Sequence, residues 1–334
     1  MAGMRSDNPS MTSRLRPVSA GAPVVAVEFL DQQAALVLGE EAILLVSADG
    51  KSRRVAVHAG AILCAAGDRK RLLTGGDDGK VVETDVAGES RVVATDEKKR
   101  WIDQVALGPD GAVAWSAGKT AFASIKGEQR ALDLPSAAGG LAFAPKGLRI
   151  AIAHYNGVSL WFPNVKAKPE FLEWKGSHLG VSFSPNGKFL VTTMQEPMLH
   201  GWRLADGKNM RMSGYAGRVR SLAWTADGEY LASGGADQLI LWVFQGKDGP
   251  MGKEPRMLLP HSARLAVVAC HPANDVVAAG FADGMILFAR LSDGAEVLVR
   301  KPANAAVSGM AFSADGKLFA FGCEDGAAGM VDLG

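Results

Sequence analysis

The chain has 334 residues, 48% of them hydrophobic and 21% charged, with a formal net charge of +1. That composition can bury a sizeable core and excludes a disordered polypeptide. A charge this close to zero gives no global attraction for phosphate backbones or anionic lipid, so neither nucleic acid nor a membrane is expected as a partner.

In chain order, residues 1–20 contain no apolar run of signal-peptide length; residues 1–12 are expected to be a disordered tail, with one domain over 13–334. No later stretch reaches the roughly 18 apolar residues that a membrane-spanning helix needs. Short apolar runs begin almost at once, as VVAVEF, AALVL and AILLV, and recur to the C-terminus, separated by Gly-bearing turns such as PDG (109–111), PNG (185–187) and ADG (226–228 and 314–316). Such turns suit tight antiparallel connections. Cys64, Cys270 and Cys323 form neither a CxxC pair nor an even-numbered framework, so a reducing compartment, the cytoplasm, is expected.

The runs repeat. Phe143, Phe183 and Trp224 end equivalent first runs at separations of 40 and 41, and Trp161, Trp202 and Trp242 end equivalent third runs at 41 and 40. Weaker copies place Phe29, Ala65, Leu107, Cys270 and Phe312 at the first marker, giving eight copies spaced 36 to 46 residues apart. Several runs are apolar on both faces, so they must be covered on both sides. Small sheets stacked face to face around an axis give that cover, and no apolar run at helical spacing is long enough to compete. The expected fold is all-β, a single β-propeller of four-stranded antiparallel blades. Eight blades are favoured over seven, because seven would need about 46 residues per blade. SRLRPVSAG (13–21) looks like other fourth strands, and the last copy supplies only three, so residues 14–19 are expected to complete the last blade and close the ring. FQGKDGPMGKEPRMLL (244–259) lengthens one link and is expected to be a mobile loop.

The sequence resembles the WD40 family. The resemblance rests on Trp161, Trp202 and Trp242 and on the turn aspartates Asp78, Asp237, Asp283 and Asp325, with Asn156 in an equivalent turn. It covers nearly the whole chain, specifies fold and says little of function. The Gly-His opening and the Trp-Asp dipeptide are absent. The resemblance therefore implies that the family's Asp–His–Ser/Thr–Trp hydrogen-bond network is incomplete in most blades.

Chemistry is sparse. GKDGPMGK (246–253) fails as a phosphate loop, since Lys247 stands where a glycine is due and Glu254 where a hydroxyl is needed. The six histidines make no HExxH, and no GxSxG elbow occurs. No cofactor, metal or catalytic residue is expected, and the turn aspartates read as backbone hydrogen-bond acceptors. What remains is surface. The loops leading into the first strands carry DEKKRW (96–101), WKGSHL (174–179), GYAGRVR (214–220) and HSARL (261–265). Trp101, Arg218 and Arg264 share one slot, with Tyr215 close by, and these residue types dominate interface hot spots. The expectation is a non-enzymatic scaffold, a monomeric propeller within a complex, that binds a protein or peptide over the channel mouth through Trp101, Tyr215, Arg218 and Arg264. The alternative is an enzyme or small-ligand propeller with an axial site, which would need His58, His178 and His261 to converge.

Overall fold

The structure, a computed structural model, describes residues 9–334. Its strands follow the apolar runs. In the first complete sheet, Val24–Leu30, Gln33–Leu38, Ala42–Val46 and Ser52–Ala56 lie side by side, each antiparallel to the next. Ala42–Val46 is buried at every position, whereas Ser52–Ala56 is mostly exposed. Burial thus falls off at the outer strand, where the sequence turns to Ser-Arg-Arg. Middle strands covered on both faces can be apolar throughout, and outer strands cannot.

The strands form seven hydrogen-bonded sheets, not the favoured eight. Six are four-stranded, and the seventh joins six strands from Gly140–Phe143 to Lys208–Ser213. It spans two sequence copies because Glu170–Phe183 runs without a break from one into the next, pairing first with Ile150–Trp161 and then with Phe189–Met194. Within this sheet the chain also doubles back. His154 Nε2 lies 2.9 Å from Ser159 Oγ, although five extended residues would separate them by about 16 Å. The reversal falls at Asn156 and Gly157, with φ of 67° and 149°. Ala151, Val158 and Leu160 then pack against Phe183, Leu190 and Trp202 inside the same sheet.

The sheets close into a ring through their first strands. Val307–Phe312, in the last copy, packs beside Val24–Leu30, and Ser308 Oγ donates to the Val24 carbonyl. Val24, Phe29 and Leu36 share one apolar cluster with Leu318, Ala320 and Met330 across this seam. Leu15–Ser19 pairs with Ala327–Asp332 at the edge of the last sheet, Leu15 opposite Val331 and Pro17 opposite Gly329. A proline fits there because an edge strand has a side with no ladder bond to make.

Of the expected tail, residues 1–8 lie outside the described residues. Pro9–Met11 is seated along Glu296–Arg300: the Met11 amide donates to the Leu298 carbonyl at 2.8 Å and the Leu298 amide to the Pro9 carbonyl at 3.0 Å. The insertion at 244–259 is folded down rather than loose. Phe244 is buried against Phe189 and Trp224, Asp248 pairs with Arg203, and Arg256–Leu258 extends its sheet. The Phe side chain and the acid among its glycines supply anchors that its turn residues alone do not reveal.

Candidate functional site

The inner strands begin in a repeated way. A buried residue anchors the start, and a one-residue shift of register follows it at Val24/Ala26, Ile62/Cys64, His178/Gly180, Leu265/Val267 and Val307/Gly309. Such a bulge re-aims the extra side chain. Val25 and Leu63 occupy that position and are 45% and 42% exposed. Ala266 and Ser308 occupy it too, and Arg220 stands likewise after buried Val219. These last three line one cavity of about 250 Å³ with Arg218, Arg264 and Glu324. The cavity thus opens where three successive copies start their inner strands.

The sequence-predicted residues divide. Trp101 precedes the fully buried anchor Ile102 and is itself 63% exposed. Arg218 and Arg264 precede the buried anchors Val219 and Leu265 and meet in the cavity; Trp101 is not among its lining residues. Arg218 Nη1 donates to Gln195 Oε1 at 2.9 Å. The Arg264 guanidinium lies over Gly217, where a Cβ would come 3.4 Å from its Nη1. Arg54, Arg71, Arg91, Arg100, Arg203 and Arg290 all pair with carboxylates, but among the described residues Arg218, Arg220 and Arg264 make no ion pair.

Tyr215 is buried. Its hydroxyl lies 2.7 Å from Ser233 Oγ and accepts from Trp242 Nε1 at 2.6 Å, and burial pushes its pKa up to about 12. It stands in for the histidine of the family network and offers no surface. A fuller version of the network is held by His58, whose Nδ1 is 3.0 Å from Asp78 Oδ1 and whose Nε2 is 2.9 Å from Thr74 Oγ1. Burial opposes ionisation of Asp78, yet the Ala59 amide, the His58 ring and the Lys80 amide outweigh it and hold the carboxyl below its usual range.

The other histidines are engaged separately. His178 bonds Thr192 Oγ1 and the Trp174 carbonyl, and His261 bonds Asp283. His58, His178 and His261 are therefore each held by groups of their own blade, and among the described residues no group of three or more His, Cys, Asp or Glu side chains could hold a metal ion. Burial pushes the Cys64 and Cys270 thiols up to about 12, which keeps them protonated and unreactive. Asp78, Asp283 and Asp325 accept from the amides of Lys80, Met285 and Ala327, as turn-makers do. Sequence reasoning missed Arg220, Val25 and Leu63; the signal was the residue after each apolar anchor, visible only when the copies are aligned on that anchor.

A closed ring of antiparallel sheets with its loops gathered around one mouth is a β-propeller, of the class that presents loops on a rigid frame. The comparisons give the family. A family model for the WD domain, G-beta repeat, matches residues 208–242, and one for the anaphase-promoting complex subunit 4 WD40 domain matches residues 268–334. WD repeat-containing protein 1 of Mus musculus is 27% identical over 133 residues, 38% of this chain and 22% of that protein. WD repeat-containing protein 1-A of Xenopus laevis is 26% identical over 149 residues, 44% of this chain and 24% of that one. The matches thus span under a quarter of the curated relatives' length. A crystal structure of the computationally designed Ika8 protein superposes with a TM-score of 0.77 at 17% identity, covering 94% of this chain and 97% of that one, which is a likeness of fold alone. The chain is a WD40-repeat β-propeller. WD40 propellers are in general protein-interaction scaffolds without enzymatic activity. No helix among the described residues is long and apolar enough to cross a membrane.

Proposed function

We propose that this propeller is a non-enzymatic scaffold that binds a partner protein or peptide over the mouth of the ring, as a monomer within a complex in the cytoplasm. One observation carries the reading. At the entrances to the inner strands, Trp101 on its loop and Val25 and Leu63 at strand bulges expose apolar surface, and half-buried Arg218 and exposed Arg264 carry charge that no ion pair among the described residues answers, while most buried polar side chains are already satisfied within the blades. Exposed aromatic and arginine side chains on rigid elements are what an interface draws on. Buried, protonated thiols that form no disulfide support the reducing compartment.

The test is affinity purification from the native host followed by mass spectrometry, with Trp101→Ala, Arg218→Ala and Arg264→Ala as single and combined variants. The triple variant is expected to lose its specific partners while keeping its melting temperature. Retention of every partner would place the binding face elsewhere.

A further inference from the structure

The cavity at the mouth has a chemistry of its own, and the inference drawn from it rests on the scaffold reading and deepens it. Arg218, Arg220 and Arg264 come from the starts of two neighbouring inner strands and share one space of about 250 Å³. Three guanidinium groups that share one cavity with no carboxylate paired to them repel one another. Several arginines elsewhere on the molecule answer carboxylates within the fold: Arg100 pairs with Asp96 at 2.7 Å, and Arg71 and Arg91 both reach Glu83. Others, such as Arg256 and Arg300, donate to backbone carbonyls. Among the residues that line this cavity the single acid is Glu324, and among the described residues it forms no ion pair with the three. The remaining walls are apolar or neutral, including Leu265, Ala266, Val267 and Val307.

The neighbouring arc of the mouth is different. Beyond Ser308 the next two bulge positions around the ring are Val25 and Leu63, both exposed. Cation-rich and apolar surfaces therefore lie side by side on the same rim. We propose that the mouth is a docking site for an acidic peptide segment of a partner protein, its Asp or Glu carboxylates held by Arg218, Arg220 and Arg264 and an adjacent apolar side chain laid on Val25 and Leu63. A guanidinium presents two parallel N–H donors that match a carboxylate, so three of them can fix two acids in register. A nucleic-acid strand is disfavoured by the same geometry. Its phosphates need cations in a continuing track, whereas here the cations stop after three and Glu324 stands among them.

The test is fluorescence anisotropy of the whole chain with a short fluorescein-labelled peptide of Glu, Asp and Leu. The comparison probes are the same peptide with Gln and Asn for the acids, and a single-stranded DNA oligonucleotide. The acidic peptide is expected to bind, to weaken as sodium chloride rises, and to lose about tenfold or more in affinity on Arg220→Gln combined with Arg264→Gln. Arg130→Gln, at a distant exposed pair with Glu128, is expected to leave binding unchanged. Circular dichroism and melting of each variant separate lost binding from lost fold, and Arg264→Gln alone supplies a milder variant if the double one does not fold. Equal binding of the neutral peptide, tighter binding of the DNA, an unaffected double variant, or no binding of the acidic peptide up to about 1 mM would each overturn the proposal. If the double variant keeps the host partners that Trp101→Ala loses, the scaffold reading stands and the acidic occupant falls.

Discussion

Tyr215 carries more of the fold than its place in a glycine-rich loop would indicate. Its hydroxyl joins Ser233 and Trp242 Nε1 in a buried chain. Tyr215→Phe would leave the indole N–H without that acceptor, and an orphaned buried donor costs about 1–3 kcal/mol. Urea unfolding followed by tryptophan fluorescence should show that loss, with the m-value unchanged. Glu28 gives a second test, through pH. Its carboxyl lies on Gly67 of the next inner strand, where a Cβ would fall 2.8 Å from Oε2. Burial raises its pKa from 4.5 to about 7, against the Gly67 amide and Arg69, which lower it. Between those two values the folded chain keeps a proton that the unfolded chain has released, so stability falls as pH rises across the window and stays reduced above it. Glu28→Gln should remove this slope and stabilise the protein at pH 8 relative to wild type by up to about 3 kcal/mol. Denaturant midpoints for both proteins at pH 5 and pH 8 would reveal it; parallel shifts in the two proteins would disprove it.

At the scale of the element, the N-terminal strand is the informative piece. Leu15–Ser19 satisfies the outer edge of Ala327–Asp332, an otherwise open row of amides and carbonyls. Removing residues 1–19 should lower the melting temperature and produce oligomers on a sizing column, because a bared sheet edge pairs with other chains. A monomer of unchanged stability would mean that the edge is covered in another way. This strand was legible in the sequence because SRLRPVSAG imitates the other fourth strands, and the four-stranded unit was legible because Phe143, Phe183 and Trp224 keep their spacing. The sheet count was not. WKGSHL looks like a loop by composition, yet the backbone stays extended through it and welds two copies into one sheet. Nor was the packing of the insertion, since Phe244 and Asp248 find partners in other strands. Arg218 and Arg264 share the position that their spacing implies and line one cavity, whereas Tyr215 is buried because its acceptor role depends on Trp242, 27 residues away.

The molecule as a whole is a circle whose apolar clusters each need a neighbour on both sides. The cluster of Val24, Leu36, Leu318 and Met330 exists only when the first and last copies meet. The same seam sets a timetable on the ribosome. Leu15–Ser19 is synthesised long before its partner Ala327–Asp332, which lies far along the chain. At about 5–20 residues per second the early strand waits roughly 15–60 s for its seat. Its Arg-Pro-Val core suits that wait, since a charge and a proline keep a solitary β-segment from pairing with other nascent chains. The strand that waits is thus a latch that can be fastened only once its distant partner exists.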